Sequence, residues 1–391
     1  MISNYINKLL GLKDVIVKKV VHKPNSVEIH ISTKPSAQVC PCCGSSTSRI
    51  HDYRSQKIKD LPFQLKNCFL ILNKRRYVCS CGKKFYEHYD FLSKYQHQTK
   101  RLGFKVISML RENVSMSYVA KSCNISSNTV ARLFDTVRYE KPRVPKVLSI
   151  DEFKGNTETG KYQCILVNPD KNKVLDILPD RTQGHLIEYF GSFPKKERLR
   201  VEFFVCDMWQ PYAELAQIYF PNAKLIIDKY HFFRQITWAI DRIRKRLQKT
   251  MLPSLRKYYK RSRKLIHAPF NSLSKEDREA CAIMLLYNEE LRRAHALKEW
   301  FYEIVNEKSY AKQRIEFKNW ISDAANCGIK DMADVAATYS HWSKGILNAF
   351  KYGYTNGPTE GFNNKIKVLK RISFGVRNFE RFRNRILHCT N

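Results

Sequence analysis

The residues from Asn356 to Lys365 place one carboxylate, Glu360, in the first turn of a predicted helix that runs on into a basic segment. A glycine and a proline just before it suit a helix start. Glu360 then shares a helix face with Asn364, Lys367 and Arg371. A carboxylate beside amide and cationic groups could hold a metal ion next to a polyanion. The alternative is a helix-capping glutamate, because acids are favoured in first turns.

Three further carboxylates each end a predicted apolar strand. They are Asp151 in strand 147–152, Asp207 in strand 201–207 and Asp228 in strand 223–228. Strand ends that meet at one edge of a mixed sheet are a common setting for an active site. Each aspartate taken singly could instead be the N-cap of the helix that follows.

The cysteines are spaced like metal ligands. Cys40 and Cys43 form a Cys-x-x-Cys pair, and Cys79 and Cys81 form a Cys-x-Cys pair further along the chain. Four thiolates from two turns predict a closed, tetrahedral, structural zinc site. The alternative is a set of scattered buried thiols that pack as small apolar groups. Possible substitute ligands are Cys42, Cys68, His51 and His88.

The segment after the cysteines predicts a helix-turn-helix. Helical spacing at 102–110 is followed by a short helix at 117–123, a turn, and a second short helix at 127–134. In that motif the second helix enters the DNA major groove through its first turns. Ser127, Asn128 and Arg132 are therefore expected to face DNA. An ordinary three-helix packing unit is the alternative reading.

The composition predicts a polyanionic partner. The chain has 391 residues, with 70 basic and 36 acidic side chains and a net charge of +34. Nucleic acid is the expected partner. We expect no membrane association, because no apolar run approaches the ~20 residues needed to span a bilayer. The N-terminal residues do not resemble a signal peptide, so a cytoplasmic, nucleoid-associated protein is expected.

The basic residues are concentrated after the third aspartate. Between Lys229 and Lys264 there are 13 basic residues and one acid, Asp241. Such a run predicts a surface that tracks phosphates. Arg244, Lys245 and Arg246 are its expected DNA contacts, and Lys367 and Arg371, after Glu360, are expected to contact DNA as well.

The order of elements from 147 to 228 is three strands, helix, strand, helix, strand. That order matches a ribonuclease H-like core, here with a large all-helical insertion, within a multidomain α/β chain. The predicted domains are a zinc-binding β module at 1–95, the helix-turn-helix at 96–140, the first part of the core at 141–231, the helical insertion at 232–352, and the final catalytic helix with a basic tail at 353–391.

Three segments resemble the catalytic blocks of DDE transposases from bacterial insertion sequences. They are Asp151-Glu152-Phe153-Lys154, Cys206-Asp207-Met208-Trp209-Gln210-Pro211-Tyr212, and the stretch from Asn356 to Lys365. From the cysteine pairs to the basic tail, the chain is similar to the ISL3 family. The resemblance implies a catalytic triad of Asp151, Asp207 and Glu360 that binds two Mg²⁺ or Mn²⁺ ions. Asp228 and His231 resemble an Asp-x-x-His signature of related transposases with a helical insertion.

The resemblance further implies a function. A transposase of this kind would bind the terminal inverted repeats of its element as double-stranded DNA, cut there, and join the freed end to target DNA, as a homo-oligomer. Two alternatives remain: a transposase-derived zinc and helix-turn-helix regulator without catalysis, and a ribonuclease H-like nuclease acting on branched DNA. Retention of all three triad acids favours the active enzyme, with Asn364 and Lys367 in support.

Overall fold

The computed structural model of the protein describes residues 10–261 and 263–391. The chain forms two compact units, Met1–Glu140 with Ile366–Asn391, and Lys141–Lys365. The first nine residues of the predicted zinc-binding module lie outside the described residues. Residues 366–391 at the C-terminal end thus belong to the same compact unit as the described residues up to Glu140.

The first unit contains a five-stranded sheet in the order β1-β2-β6-β5, with β7 paired to β6. In β2, Val27, Ile29 and Ile31 are buried and alternate with more exposed residues, as the two-residue period of a half-buried strand requires. The hairpin of β5 and β6 lies between the two cysteine pairs, within the segment where the sequence predicts a zinc-binding β module. The strands are β1 (Val15–His22), β2 (Ser26–Thr33), β3 (Gln38–Val39), β4 (Ser46–Thr47), β5 (Ile50–Phe63), β6 (Lys66–Val78) and β7 (Lys84–Tyr86).

Three short helices follow, and each begins at a hydroxyl side chain. Thr99, Ser115 and Ser126 each accept a hydrogen bond from the backbone N–H three residues later. These caps satisfy donors that the first turn leaves free. Val106 and Val130 are among the side chains buried where the helices meet. The helices are α1 (Lys100–Met109), α2 (Met116–Ser122) and α3 (Ser127–Phe134).

The C-terminal helix packs against these three helices. Arg381 makes two hydrogen bonds to the Asp135 carboxylate, at 2.7 and 2.6 Å. The His388 ring accepts from the Tyr139 hydroxyl at 2.7 Å and donates to the Ile107 carbonyl at 2.8 Å. The C-terminal helix is thus fixed to the three-helix group by polar contacts. This C-terminal helix, α16, runs over Phe379–Thr390.

The second unit is built on a mixed five-stranded sheet in the order β10-β9-β8-β11-β12. The first three strands in sequence pair antiparallel, whereas β11 pairs parallel with both β8 and β12. Helices α4 and α6 connect the later strands and pack on the apolar core. The elements are β8 (Val147–Thr157), β9 (Gly160–Asn168), β10 (Lys173–Leu178), α4 (Gln183–Gly191), α5 (Lys195–Arg198), β11 (Phe203–Cys206), α6 (Gln210–Tyr219) and β12 (Lys224–Ile227).

The first strand extends well beyond its predicted end, and the two later acid-bearing strands end one residue before Asp207 and Asp228. The sequence predicts that the first strand ends at Asp151 and Glu152, but β8 continues to Thr157. The reason is its pairing: β9 extends the antiparallel ladder with β8 as far as Thr157, beyond the point where β11 stops. Asp151 therefore lies inside a strand, beside the end of its shorter neighbour.

Helices fill the chain after β12, as predicted. Near their end, α14 returns to the sheet and lies against β12. A Cβ added at Gly345 would lie 2.7 Å from Ile227 Cγ1, and the Asn348 side chain donates to the Leu225 carbonyl at 2.8 Å. The helices are α7 (Lys229–Gln248), α8 (Pro253–Arg261), α9 (Arg263–His267), α10 (Lys275–Leu286), α11 (Glu289–Asn306), α12 (Tyr310–Asn326), α13 (Lys330–His341), α14 (Ser343–Tyr352) and α15 (Gly357–Ile372).

Helix α7 shows how this helical segment is stabilised. Phe232, Ile236, Ile240 and Ile243 are buried at three- and four-residue spacing, and charged side chains occupy much of the remaining surface. Such an amphipathic stripe packs against other helices. Within residues 10–261 and 263–391, no helix combines the length and the apolar character needed to cross a bilayer.

The close approach of α14 to β12 predicts that Gly345→Ala destabilises the protein. The added methyl group would overpack against buried Ile227, at a cost of about 1–3 kcal/mol. Because the contact at 2.7 Å is too short for any real Cβ, we expect a cost in the upper part of this range, above the ~1 kcal/mol that alanine gains over glycine in a helix. The matched control is Gly184→Ala in α4, where no atom lies within 4 Å of the added Cβ. Thermal unfolding should show a lower melting temperature for the first variant only; equal melting temperatures would contradict the packing argument.

Candidate metal centres and DNA-facing residues

Three aspartates lie at one level across adjacent strands of the second sheet. In the parallel register Val205 pairs with Ser149, so Asp207, directly after the end of β11, lies beside Asp151, two residues beyond Ser149 in β8. The register of β11 with β12 likewise brings Asp228 next to Asp207. The sequence predicts that all three lie at strand ends. In the structure Asp207 and Asp228 directly follow their strands, Asp151 lies inside β8, and the pairing of the strands brings the three to one edge.

The start of α15 is hydrogen-bonded to the same edge. The Ser149 hydroxyl donates to the Asn356 side-chain oxygen and lies 2.9 Å from the Thr359 hydroxyl. The Asn356 backbone N–H donates to Asp228 Oδ1 at 2.8 Å. These four side chains are buried. Glu360, which directly follows Thr359 in the chain, is therefore held at this edge by its neighbours, while its own side chain is exposed.

Asn363 also contacts one of these aspartates, Asp151, and the sequence reasoning missed it. Its side-chain N–H donates to Asp151 Oδ2 at 2.9 Å, and the side chain is buried. Asn364, the predicted supporting residue, is exposed. The available signal was helical spacing, because Asn356, Thr359 and Asn363 recur every three or four residues and so share one face.

Burial raises the pKa values of the three aspartates. The pKa of Asp151 rises to about 7, chiefly through burial, with further contributions from the charges of Asp207, Glu152 and Asp228. Burial and the charge of Glu152 raise the pKa of Asp207 to about 6. Burial also raises the pKa of Asp228, and the charge of Glu360 adds to the effect. Loss of hydration on burial is the main physical cause, and nearby like charges add to it.

Two arginines that the sequence reasoning did not single out flank these acids. The charges of Arg234 and Arg181 both lower the pKa of Asp207, opposing the effect of burial. Arg181 donates to both Glu152 oxygens, at 2.9 and 2.7 Å. The Arg234 guanidinium lies over the Trp238 ring, 4.6 Å from its centroid. They partly offset the negative charge of the site.

His231, the second residue of the Asp-x-x-His pair, is not placed to act as an acid near neutral pH. Burial and the charge of Arg234 lower its pKa to about 4. Its Nδ1 accepts a hydrogen bond from the Arg234 guanidinium at 2.9 Å. The neutral ring therefore fixes the orientation of Arg234.

The four predicted cysteines come together in the first unit. Cys40 Sγ lies 3.7 Å from Cys81 Sγ, and Cys43 Sγ lies 3.5 Å from Cys79 Sγ. These spacings are close to those of a tetrahedral zinc site with Zn–S bonds of about 2.3 Å. Cys42, Cys68, His51 and His88 are not part of the cluster.

This cluster differs from the acidic site in one respect. Among the described residues it is the one group of three or more His, Cys, Asp or Glu side chains whose ligand atoms all lie within 4.8 Å of one another. Two tight turns form it, each with a glycine in the left-handed region, Gly44 at φ 74° and Gly82 at φ 82°. Hydrogen bonds from Ser45 lower the pKa of the Cys43 thiol to about 6, which favours the thiolate that binds metal.

The predicted DNA contacts fall into two groups. Ser127, Asn128 and Arg132 are exposed on α3, and Lys367 and Arg371 are exposed on α15. The remaining three belong to internal ion pairs of the helical segment: Arg244 and Lys245 pair with Asp241 at 2.6 and 2.8 Å, and Arg246 pairs with Asp331 at 2.7 Å and with Glu290.

Burial separates these three further. Arg244 is buried, whereas Lys245 and Arg246 remain exposed. Burial raises the pKa of Asp241, but hydrogen bonds from Lys245 and Arg244 lower it to about 2. Other basic side chains of the run line an open groove of about 480 Å³ between α7 and α8, among them the exposed Arg256, Lys257 and Lys260.

Comparison with known proteins gives a consistent result. Residues 148–386 match the family model for ISL3 transposases, and residues 36–81 match the zinc-finger model of transposases of IS204, IS1001, IS1096 and IS1165. The transposase for insertion sequence element IS1001 of Bordetella parapertussis is 27% identical over 373 residues, covering 90% of this chain and 89% of that protein. The transposase for IS1557 of Mycobacterium tuberculosis is 23% identical over 241 residues, covering 56% of this chain and 54% of that protein.

The raised pKa of Asp151 makes a prediction about stability. The pKa of Asp151 is higher in the folded state than in the unfolded chain. The folded state therefore loses stability as the pH rises from the unfolded-state pKa toward about 7, the folded-state pKa. Without divalent metal, Asp151→Asn should therefore raise the melting temperature at pH 8, and the gain should shrink toward pH 5. The slope is at most about 1.4 kcal/mol per pH unit. Thermal unfolding across this pH range tests it, and a pH-independent difference would contradict the electrostatic cause.

The cysteine cluster predicts the effect of losing one ligand. Cys79→Ser should remove bound zinc and destabilise the sheet that carries the cluster, because metal binding and folding are coupled in such small sites. Cys42→Ser, at an exposed cysteine outside the cluster, is the matched control. Zinc content and thermal unfolding would be measured together. Full zinc retention by the Cys79 variant would exclude that residue as a ligand.

Proposed function

Because this chain belongs to the ISL3 family of transposases, we propose that it binds the ends of its insertion sequence and catalyses metal-dependent DNA cleavage and strand transfer. The observation that carries the proposal is the joining of distant acids. Asp151, Asp207 and Asp228 share one level of the sheet, and the buried Ser149–Asn356–Thr359 contacts fix the helix of Glu360 to the same edge. The regulator without catalysis would not require this arrangement.

The catalytic fold is proposed to be ribonuclease H-like. The strand order β10-β9-β8-β11-β12, with three antiparallel strands followed by two parallel ones, supports this assignment. In this proposal the helices from α7 to α14 are an insertion between β12 and the helix of Glu360.

The acidic residues fit a magnesium site. Asp207 Oδ1 is buried and has no hydrogen-bond partner among the described residues, and a cation would satisfy it. Carboxylate oxygens with open positions for water and phosphate are the ligand set that Mg²⁺ prefers. Asp151, Asp207 and Glu360 would hold two Mg²⁺ or Mn²⁺ ions, which supply Lewis acidity for in-line displacement at a phosphate.

The chain's own residues would prepare the site for a polyanionic substrate. Hydrogen bonds from the Glu152 N–H and the Asn363 amide hold the two oxygens of Asp151. Arg234 and Arg181 contribute positive charge beside Asp207, where a phosphate would otherwise be repelled by the carboxylates. Asp228 has a separate role, because it accepts from the Asn356 N–H and so anchors the helix of Glu360.

The first unit is proposed to recognise the element ends. Helices α1–α3 would form a helix-turn-helix, and the exposed Ser127, Asn128 and Arg132 at the start and outer face of α3 would read base edges in the major groove. Zinc held by the four cysteines would maintain the adjacent β module. We further propose that the protein also binds target DNA, that it acts as a homo-oligomer on the element ends, and that it is located at the nucleoid.

The helical segment is proposed to bind the DNA backbone through its basic groove. Arg256, Lys257 and Lys260 are exposed along the groove, whereas Arg244 is buried against Asp241. Exposed cations bind phosphates at less cost, because they need not leave an internal ion pair first. We therefore assign the sequence-independent contacts with DNA to the groove. Lys245 lines the groove and Arg246 lies nearby, and both would support these contacts.

The triad makes the first functional prediction. Asp151→Asn, Asp207→Asn and Glu360→Gln should each abolish Mg²⁺-dependent strand cleavage and leave binding to a terminal inverted repeat nearly unchanged, because each removes a negative ligand while preserving side-chain shape. Cleavage and gel-shift assays on the same DNA fragment separate the two effects. Wild-type cleavage by any one variant would remove that residue from the triad.

The two kinds of DNA contact make a second prediction. Arg132→Ala should reduce discrimination between an element end and unrelated DNA, by about 1–3 kcal/mol if it makes a bidentate base contact. Combined Arg256→Gln, Lys257→Gln and Lys260→Gln should weaken binding to both DNAs and flatten the salt dependence by about one slope unit per lost phosphate contact.

Both variants would be titrated with both DNAs across a salt series. Arg244→Gln is an informative comparison, because it breaks a buried ion pair and should mainly lower the melting temperature. Equal loss on both DNAs for Arg132→Ala, or loss of specific binding alone for the groove variant, would contradict this division of contacts.

A further inference from the structure

We propose that Asn363 is a positioning residue of the acidic centre. Its amide N–H fixes the Asp151 carboxylate, and its carbonyl oxygen accepts a hydrogen bond from the water of a hydrated cation. The inference rests on the proposed function, since it concerns the same metal-dependent site. It assigns a specific task to a residue that lies one helical turn beyond Glu360. Four observations carry it.

The first is geometry. Asn363 Nδ2 lies 2.9 Å from Asp151 Oδ2, and the Glu152 backbone N–H lies 2.8 Å from Asp151 Oδ1. Each oxygen of the carboxylate thus accepts from a different element, one from β8 itself and one from α15. Two donors on separate elements fix both the position and the rotation of the carboxylate, which a single donor would leave free to turn.

The second observation is the orientation of the amide. An asparagine side chain has one donating and one accepting end. The donating end faces Asp151, because Asn363 Nδ2 is the atom that lies 2.9 Å from Asp151 Oδ2. The carbonyl oxygen at the other end of the amide is therefore left for another partner.

The third observation is that this oxygen has none. Asn363 is only 7% exposed, and its Oδ1 is buried without a hydrogen-bond partner among the described residues. A buried acceptor left without a hydrogen bond destabilises the folded protein, so its presence calls for an explanation. Asp207 Oδ1 is in the same condition. Two unsatisfied oxygens at one acidic edge are what a hydrated divalent cation would satisfy, because its ligands are oxygens and water.

The fourth observation is the rigidity of the support. Asn356, Thr359 and Asn363 share one face of α15, and the first two are held to Ser149 on β8. Ser149 and Asp151 are two residues apart on their strand and so lie on the same side of the sheet. The contact of Asn363 with Asp151 therefore continues a single line of buried contacts between strand and helix.

The test is cation affinity in the full-length, zinc-loaded protein without DNA, measured by titration with Mn²⁺ and detection of free Mn²⁺ by electron paramagnetic resonance. Asn363→Ala should weaken Mn²⁺ binding by about 10–100-fold, the usual effect of losing a residue that orients a metal ligand. The matched control is Asn222→Ala, whose side chain makes one hydrogen bond to the Leu199 carbonyl elsewhere in the same unit and which should bind Mn²⁺ normally.

A second variant separates positioning from mere shape. Asn363→Asp keeps the shape, loses the donor and brings a second carboxylate against Asp151. It should lower the melting temperature of the metal-free protein, and Mn²⁺ should restore more of that loss than it adds to the wild type, because a cation binds only the folded site. If the Asp variant has the melting temperature of the wild type and gains no more from Mn²⁺, the side chain at this position does not act on the Asp151 carboxylate, and the proposal is overturned.

Asp151→Asn distinguishes failure of this inference from failure of the proposed function. If Asp151→Asn loses Mn²⁺ affinity while Asn363→Ala retains it within about threefold, Asn363 has no positioning role and the catalytic proposal stands. If the wild type and Asp151→Asn bind Mn²⁺ equally, the acidic edge is not a metal site and both proposals fall. Reduced affinity in Asn363→Ala together with normal affinity in Asn222→Ala supports the inference.

Discussion

The fold of the second unit is organised around the cost of bringing carboxylates of like charge to one partly buried edge. Burial is the largest cause of the raised pKa values of Asp151, Asp207 and Asp228, and the charges of neighbouring carboxylates add to it in every case. A folded protein tolerates such groups when donors and cations compensate them. Here the donors are mostly backbone and amide N–H groups, which stabilise the carboxylates without closing the site.

That solution explains why the contacts around the acids reach so far along the chain. Asn356 joins Ser149, more than 200 positions away, and Asp228, more than 120 positions away. Helix α14 prepares this contact by lying close against β12, where Gly345 leaves room for Ile227. The long helical segment thus separates Glu360 from the aspartates in sequence and returns it to them in space.

Net charge and the location of charge have different meanings in this protein. The excess of +34 indicates a polyanionic partner, yet part of the basic run satisfies the protein's own acids. Asp241, the one acid in that run, has Arg244, Lys245 and Arg263 as ion-pair partners, and Asp331 has Arg242 and Arg246. A sequence count cannot distinguish a cation that faces solvent from one that holds two helices together.

The sequence by itself determined the elements and the chemistry available to them. Strand and helix periods, the cysteine pairs and the acids after apolar strands follow from local patterns, because each depends on residues close together in the chain. Tertiary structure decided the rest. It extended β8 past Asp151 through pairing with β9, placed Asn363 rather than Asn364 against Asp151, and enclosed Arg244 in an ion pair. These outcomes depend on strand register, helix rotation and distant partners, which local sequence does not specify.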